Sequence, residues 1–206
     1  MGHQEWRDYE EMNIFDILSN QMDDPCVAEQ LGETVGAGSN QVQQLMQLGL
    51  PALLEALNRN AGTPEGARSL ARALEQHQDD PVDDVTAFLR NADTNDGAKI
   101  LQHIFGNRNE QVQYTLSRQT GLDIGQVVAL LARFAPLLLG LLGKQKKDRN
   151  LDEFGIPDLT SSINSDFGKS ERGGLMGLAA KILDADGDGD IMDDLGKILG
   201  GFLKNR

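Results

Sequence analysis

Between Val127 and Gly143 the chain reads VVALLARFAPLLLGLLG, seventeen residues without an acidic group, followed at once by KQKKDR. No other segment limits the fold so strongly. A bilayer span needs roughly 20 apolar residues, so this run sits at the lower edge of that length. Arg133 lies in its middle, at a cost of about 2.5–3.5 kcal/mol on insertion scales. Pro136 adds a bend. The run is therefore expected as a buried core helix, and a membrane span is not expected. The rest of the chain agrees with a helical protein: 29 Leu stand against 8 Val and 10 Ile, and aromatic residues make up 5%. Such a composition favours helices over sheets. No run of alternating β-branched residues occurs, so no sheet is expected.

Helix starts and stops punctuate residues 12–143. Val42, Leu45, Met46, Leu50, Leu53, Leu54 and Leu57 repeat at helical spacing around Pro51. Thr63-Pro64 is a start signal, and Ala67, Leu70, Ala71 and Leu74 form the apolar face behind it. Asp80-Pro81 repeats the signal, with Val85, Phe88 and Leu89 following. Ile100, Leu101, Ile104 and Phe105 make the next face, ended by Gly106. Val112 and Leu116 belong to a helix that Gly121 ends. Asp123 and Gln126 then form a capping box, with Leu122 and Val127 placed as a hydrophobic staple. Residues 144–174 lose the period to Gly, Ser, Asn, Pro and charge, and read as a flexible linker.

The formal charge is −13, distributed as −13 over residues 1–98, +5 over 99–150 and −5 over 151–206. So acidic a chain is a poor general ligand for phosphate backbones. One segment competes with that reading. Residues 109–135 have the cadence of a helix-turn-helix. Arg108, Arg118, Lys144, Lys146, Lys147 and Arg149 lie nearby, within a possible nucleic-acid-binding stretch at 108–149. The second helix, however, offers only Gln126 and Arg133 to base edges. A helix this apolar buries itself. DNA binding by a regulator is the alternative function, and nucleic acid is not the expected partner.

Signals for catalysis are missing. His3, His77 and His103 have no zinc spacing. His77 reads as a solvated helix end and His103 as a packing or surface residue. Cys26 has no activating positive neighbour and is expected as a packed thiol. There is no phosphate-binding glycine loop and no nucleophile elbow. No enzyme activity and no catalytic residue are expected.

The strongest chemical signal is near the C-terminus. Residues 184–195 read DADGDGDIMDDL. With Asp184 as position 1, carboxylates fall at positions 1, 3 and 5 (Asp184, Asp186, Asp188) and Gly189 at position 6. That is the opening of an EF-hand loop, whose glycine permits the sharp turn. Asp190 at position 7 would supply its backbone carbonyl. Leu175, Leu178, Ala179, Ile182 and Leu183 form a helical face before the loop, and Leu195, Ile198, Leu199, Phe202 and Leu203 form one after it. Position 12 is Leu195 where a bidentate Glu is required. In a loop shortened by one residue Asp194 takes that role, with Asp193 as its rival. Six aspartates in eleven residues repel one another without a counter-ion. The expected cofactor is Ca2+, bound with a dissociation constant on the order of 10⁻⁵–10⁻³ M. The similar stretch Asp93-Thr-Asn-Asp96-Gly97 lacks later ligands and reads as a capped turn.

Gly49-Leu50-Pro51, His103-Ile104-Phe105-Gly106, Thr120-Gly121-Leu122 and Ala135-Pro136-Leu137 together resemble the YidB-like family of bacterial proteins of unknown function. The likeness covers most of residues 12–143. It implies an all-helical domain with a homeodomain-like helical motif and no established activity. The Asp-rich tail is similar to one found in many relatives. The expected organisation is a 1–11 extension, a 12–143 all-α multi-helix domain, a 144–174 linker and a 175–206 EF-hand-like helix-loop-helix. The function expected is that of a non-enzymatic calcium-binding protein whose tail is ordered by the ion. A protein partner or self-association is left open. No basic segment followed by an apolar stretch opens the chain, so a cytoplasmic location is expected, with export lacking an N-terminal signal as the alternative.

Overall fold

The computed structural model describes residues 14, 17, 18, 20, 24–170 and 173–184. Among them the chain is helical, with no strand. In order come α1 (Pro25–Val35), α2 (Ser39–Ala61), α3 (Pro64–His77), α4 (Val85–Asn91), α5 (Thr94–Phe105), α6 (Asn109–Thr120), α7 (Ile124–Asp148), α8 (Ile156–Lys169) and α9 (Gly173–Asp184). Short 3-10 turns stand at Gly106–Arg108 and Glu153–Gly155.

The local signals explain most boundaries. Thr63 accepts from the Gly66 amide at 3.1 Å, and Pro64 is the first residue of α3. Asp93 accepts from the amides of Asn95 and Asp96 and so starts α5, as the capped-turn reading expects. Asp123 accepts from the Gln126 amide at 2.9 Å, while the Gln126 side chain accepts from the Asp123 amide at 3.1 Å. This reciprocal pair satisfies two amides that a helix start leaves open. Leu122 and Val127, the staple, are both buried. Gly121 ends α6 at φ 69°, a left-handed conformation that favours glycine. One start is displaced. The cap of α4 is Asp84, accepting from the Ala87 amide at 3.0 Å, and Asp80-Pro81 belongs to the turn before it.

The apolar run is the buried centre. Helix α7 packs on α3, α4, α5 and α6, and Val127, Leu130, Phe134, Ala135 and Leu138 have no accessible surface. It has the length and apolar character of a membrane span, and 67% of its most apolar stretch is buried against the other helices. Glycine lets neighbours approach it closely. A Cβ on Gly97 of α5 would lie 1.8 Å from the Ala132 carbonyl oxygen. Helix α2 is the second centre and carries α1, α8 and α9.

The segment 144–174 is not the linker that its composition suggests. Residues 144–148 complete α7, and 156–169 form α8. Ile156, Leu159, Ile163 and Phe167 are buried in α8, a stripe at helical spacing that the surrounding Ser, Asn, Gly and Asp conceal. The apolar face of α9 also joins the same core: Leu175, Leu178, Ile182 and Leu183 are part of one cluster with α2 and α7 residues. Residues 173–184 are thus packed into the main helical body, where a separate small unit had been expected. Residues 1–11, and 185–206 with the second apolar face, lie outside the described residues.

Candidate metal centre

Of the six aspartates proposed as ligands, the described residues include Asp184 alone; Asp186, Asp188, Asp190, Asp193 and Asp194 lie outside them. Asp184 is the last described residue of α9, a helix that buries Leu175, Leu178, Ala179, Ile182 and Leu183 along one face. Among the described residues no group of three or more His, Cys, Asp or Glu is placed to hold a metal.

The Asp184 carboxylate has cationic partners. Arg59, in the last turn of α2, donates from its two terminal nitrogens to Oδ1 at 2.6 Å and Oδ2 at 3.0 Å. This is the two-pronged geometry that a planar guanidinium offers a carboxylate. Arg108 donates to Oδ1 at 3.4 Å and to the Leu183 carbonyl at 3.2 Å. Behind Arg59 the network continues inward. Its Nε donates to Glu55 at 2.8 Å, and the other Glu55 oxygen accepts from Asn164 of α8 at 2.8 Å. The hydrogen bond from Arg59, together with the charges of Arg59 and Arg108, holds the Asp184 carboxyl below the usual carboxylate range. The same bond, and the one to Glu55, hold Arg59 further into its protonated form.

The sequence names Asp184 as a calcium ligand and gives no sign of Arg59 and Arg108 as its partners. They stand 125 and 76 residues from it, and no local pattern links them. Only the Glu55–Arg59 pair, four residues apart on one helix, has a readable spacing.

The rival nucleic-acid segment is largely occupied by internal contacts. Gln126 donates to the Val35 and Gly36 carbonyls at 3.2 and 3.1 Å, and Arg133 to the Ala129 carbonyl at 2.6 Å. Burial lowers the tendency of Arg133 to hold its proton. Lys144, Lys146 and Lys147 pair with Asp83, Glu75 and Asp79. The hydrogen bond and charge of Asp79 raise the Lys147 pKa. Arg118 lies over the Tyr114 ring, 5.9 Å from its centre. The second helix of the motif is the core helix α7, so it cannot enter a groove along its buried length.

His3 lies outside the described residues; His77, His103 and Cys26 are placed apart from one another. His77 Nδ1 lies 2.8 Å from Asp80 and its Nε2 3.8 Å from Asp96. The ring is largely buried, in contrast to the solvated helix end expected for it. His103 is exposed. Cys26 is exposed too, correcting the packed-thiol expectation. It stands in the first turn of α1, where the buried face is carried by Val27, Ala28 and Leu31.

The family model for bacterial proteins of unknown function named DUF937 matches residues 16–145. The chain belongs to the DUF937 family. The YidB-like resemblance falls within it. No curated protein and no solved structure matches the chain. The DUF937 match contains Arg59 and Arg108 and ends before α8, α9 and Asp184. The arginine–aspartate contact therefore joins the family domain to the chain beyond it.

Proposed function

We propose that this DUF937 protein is a non-enzymatic cytoplasmic binding protein that takes up calcium through its C-terminal Asp184–Asp194 loop. The observation carrying the reading is the spacing of Asp184, Asp186 and Asp188 followed by Gly189, with Asp184 the last described residue of α9. An EF-hand loop carries its oxygen ligands on alternate residues in this way. Asp190 contributes its carbonyl, and Asp194 or Asp193 replaces the loop-ending Glu. The ion offsets the repulsion among six aspartates and lets the apolar face at 195–203 pack, coupling metal uptake to ordering of the tail.

Calorimetric titration of chelator-stripped protein with calcium, then with magnesium, tests this. The expected result is saturable one-site calcium binding on the order of 10⁻⁵–10⁻³ M, weaker for magnesium. Asp186→Ala with Asp188→Ala should abolish it, together with any calcium-dependent rise in helicity. No heat and no thermal shift at millimolar calcium would overturn the reading. Cell fractionation tests the location, with recovery in the cytoplasmic fraction expected.

A further inference from the structure

We infer that α8 and α9 form one strap, latched to a single stretch of α2, that opens as a unit while the body around α7 stays folded. Glu55, Asn58 and Arg59 stand at i, i+3 and i+4 near the end of α2, which places them on one face of that helix. Each of them holds the strap. Glu55 accepts from Asn164 of α8 at 2.8 Å. The Thr160 hydroxyl of α8 donates to Asn58 Oδ1 at 3.2 Å. Arg59 donates to both Asp184 oxygens of α9, at 2.6 and 3.0 Å. Glu55 also accepts from Arg59 at 2.8 Å, so one carboxylate joins the α8 tie to the α9 tie.

The packing makes the two helices a unit. They pack on each other and on α2, with lesser contact to α3 and α6, whereas α3, α4, α5 and α6 gather about α7. The corner between them is tight. A Cβ on Gly173 would lie 2.2 Å from the Gly168 carbonyl oxygen, and the Gly173 amide donates to the Ser170 carbonyl at 2.9 Å. The strap leaves the body through residues 149–155, where Asn150 takes the left-handed φ of 51° and Phe154 is exposed. A segment packed mainly on one helix, with exposed polar ties, opens before the whole fold does. Its apolar stripes keep it closed at rest, and the latch sets how often it opens. Opening uncovers the side of α2 that carries Glu55, Asn58 and Arg59. That side lies within the DUF937 match, and the strap lies beyond it.

The test is native-state amide hydrogen exchange on the full chain in metal-free buffer, read helix by helix. The forms are wild type, Asp184→Asn on α9, Asn164→Ser on α8 and Asp123→Ala, which removes the cap of α7. In wild type the slowest amides of α8 and α9 should share one protection factor, about tenfold or more below that of α7. Asp184→Asn and Asn164→Ser should each lower protection in both strap helices by the same factor, about two- to fivefold, the scale of one exposed ion pair or hydrogen bond. Asp123→Ala should lower protection in α7 about fivefold and leave α8 and α9 unchanged, because the strap opens with that cap intact. If each strap variant loosens only its own helix, α8 and α9 open separately and the unit is overturned. If Asp123→Ala lowers protection in α8 and α9 as it does in α7, they open only with the whole fold and the strap is overturned. Strap variants that match wild type overturn the latch.

Discussion

Gly97→Ala should destabilise the fold through one backbone contact. An alanine Cβ at this position would lie 1.8 Å from the Ala132 carbonyl oxygen, 2.6 Å from its carbon and 2.9 Å from its Cα. All three atoms belong to the backbone of α7, so no rotamer change relieves the clash. Ordinary contact begins at 3.4 Å, so α5 and α7 must separate by about 1.6 Å at that point, opening a well-packed core. Overpacking of this kind costs about 1–3 kcal/mol, with a backbone clash at the upper end. Alanine returns about 1 kcal/mol of helix propensity. The expected net loss is about 2 kcal/mol, or about 4–8 °C in Tm for a chain of this length. Urea unfolding followed by circular dichroism measures it. Gly177→Ala is the control: it lies on the exposed side of α9 with no atom within 4 Å, and should gain up to about 1 kcal/mol from propensity alone. If Gly97→Ala is as stable as Gly177→Ala, the close approach of α5 to α7 does not govern this position.

Two further outcomes follow from the same reasoning. Asp123→Ala removes the acceptor for the Gln126 amide at the start of α7 and should lower stability by about 1 kcal/mol in the same unfolding assay; an unchanged midpoint would mean that the tertiary burial of Leu122 and Val127 sets this boundary alone. In metal-free buffer, Asp184 should make stability pH-dependent. Its folded-state pKa is depressed by the Arg59 hydrogen bond and by the charges of Arg59 and Arg108, so its contribution is present above the unfolded value of about 3.9 and is lost as pH falls through the lower folded value. The stability gap between wild type and Asp184→Asn should be full at neutral pH and close as pH falls below the ordinary carboxylate range and through the lower folded value; a gap of constant size across that range would show that the carboxylate's charge plays no part.

The fold was legible wherever a local signal set an element. Thr63-Pro64, Asp93, Asp123 with Gln126, and Gly121 all act within three or four residues, and each caps the helix its spacing predicts. Helix α8 was missed because its apolar stripe, Ile156, Leu159, Ile163 and Phe167, is diluted by residues that usually mark loops. Period carried the information there and composition hid it. The α4 start was misplaced by one turn because Asp80-Pro81 and Asp84 both look like caps, and only the packing of Val85 and Leu89 distinguishes them. At the candidate site the spacing singles out Asp184 as a metal ligand, whereas the contacts observed for it are with arginines. The arginines were not legible, because the contact is closed by the packing of α9 on α2, and nothing near residue 59 or 108 in the chain refers to residue 184.

The charge distribution shows why segment sums mislead about partners. Residues 99–150 carry +5 and residues 1–98 carry −13, which in sequence looks like a basic patch beside an acidic arm. In the fold, the C-terminal end of α7 lies against α3 and the turn that follows it. Lys144, Lys146 and Lys147 there meet Asp83, Glu75 and Asp79. Lys146 is buried and depends on Glu75, since an unpaired buried ammonium is costly. Lys144 and Lys147 are exposed, and their pairs contribute little to stability, yet they still cancel the local field. These three lysines are thus matched one to one by carboxylates of the preceding helix and turn. Beyond residue 150 the acidic excess belongs chiefly to residues 184–194, of which the single described carboxylate, Asp184, pairs with two arginines from the DUF937 domain. The charges of the middle segment are thus largely paired within the fold, and Asp184 is paired with Arg59 and Arg108 in the same way.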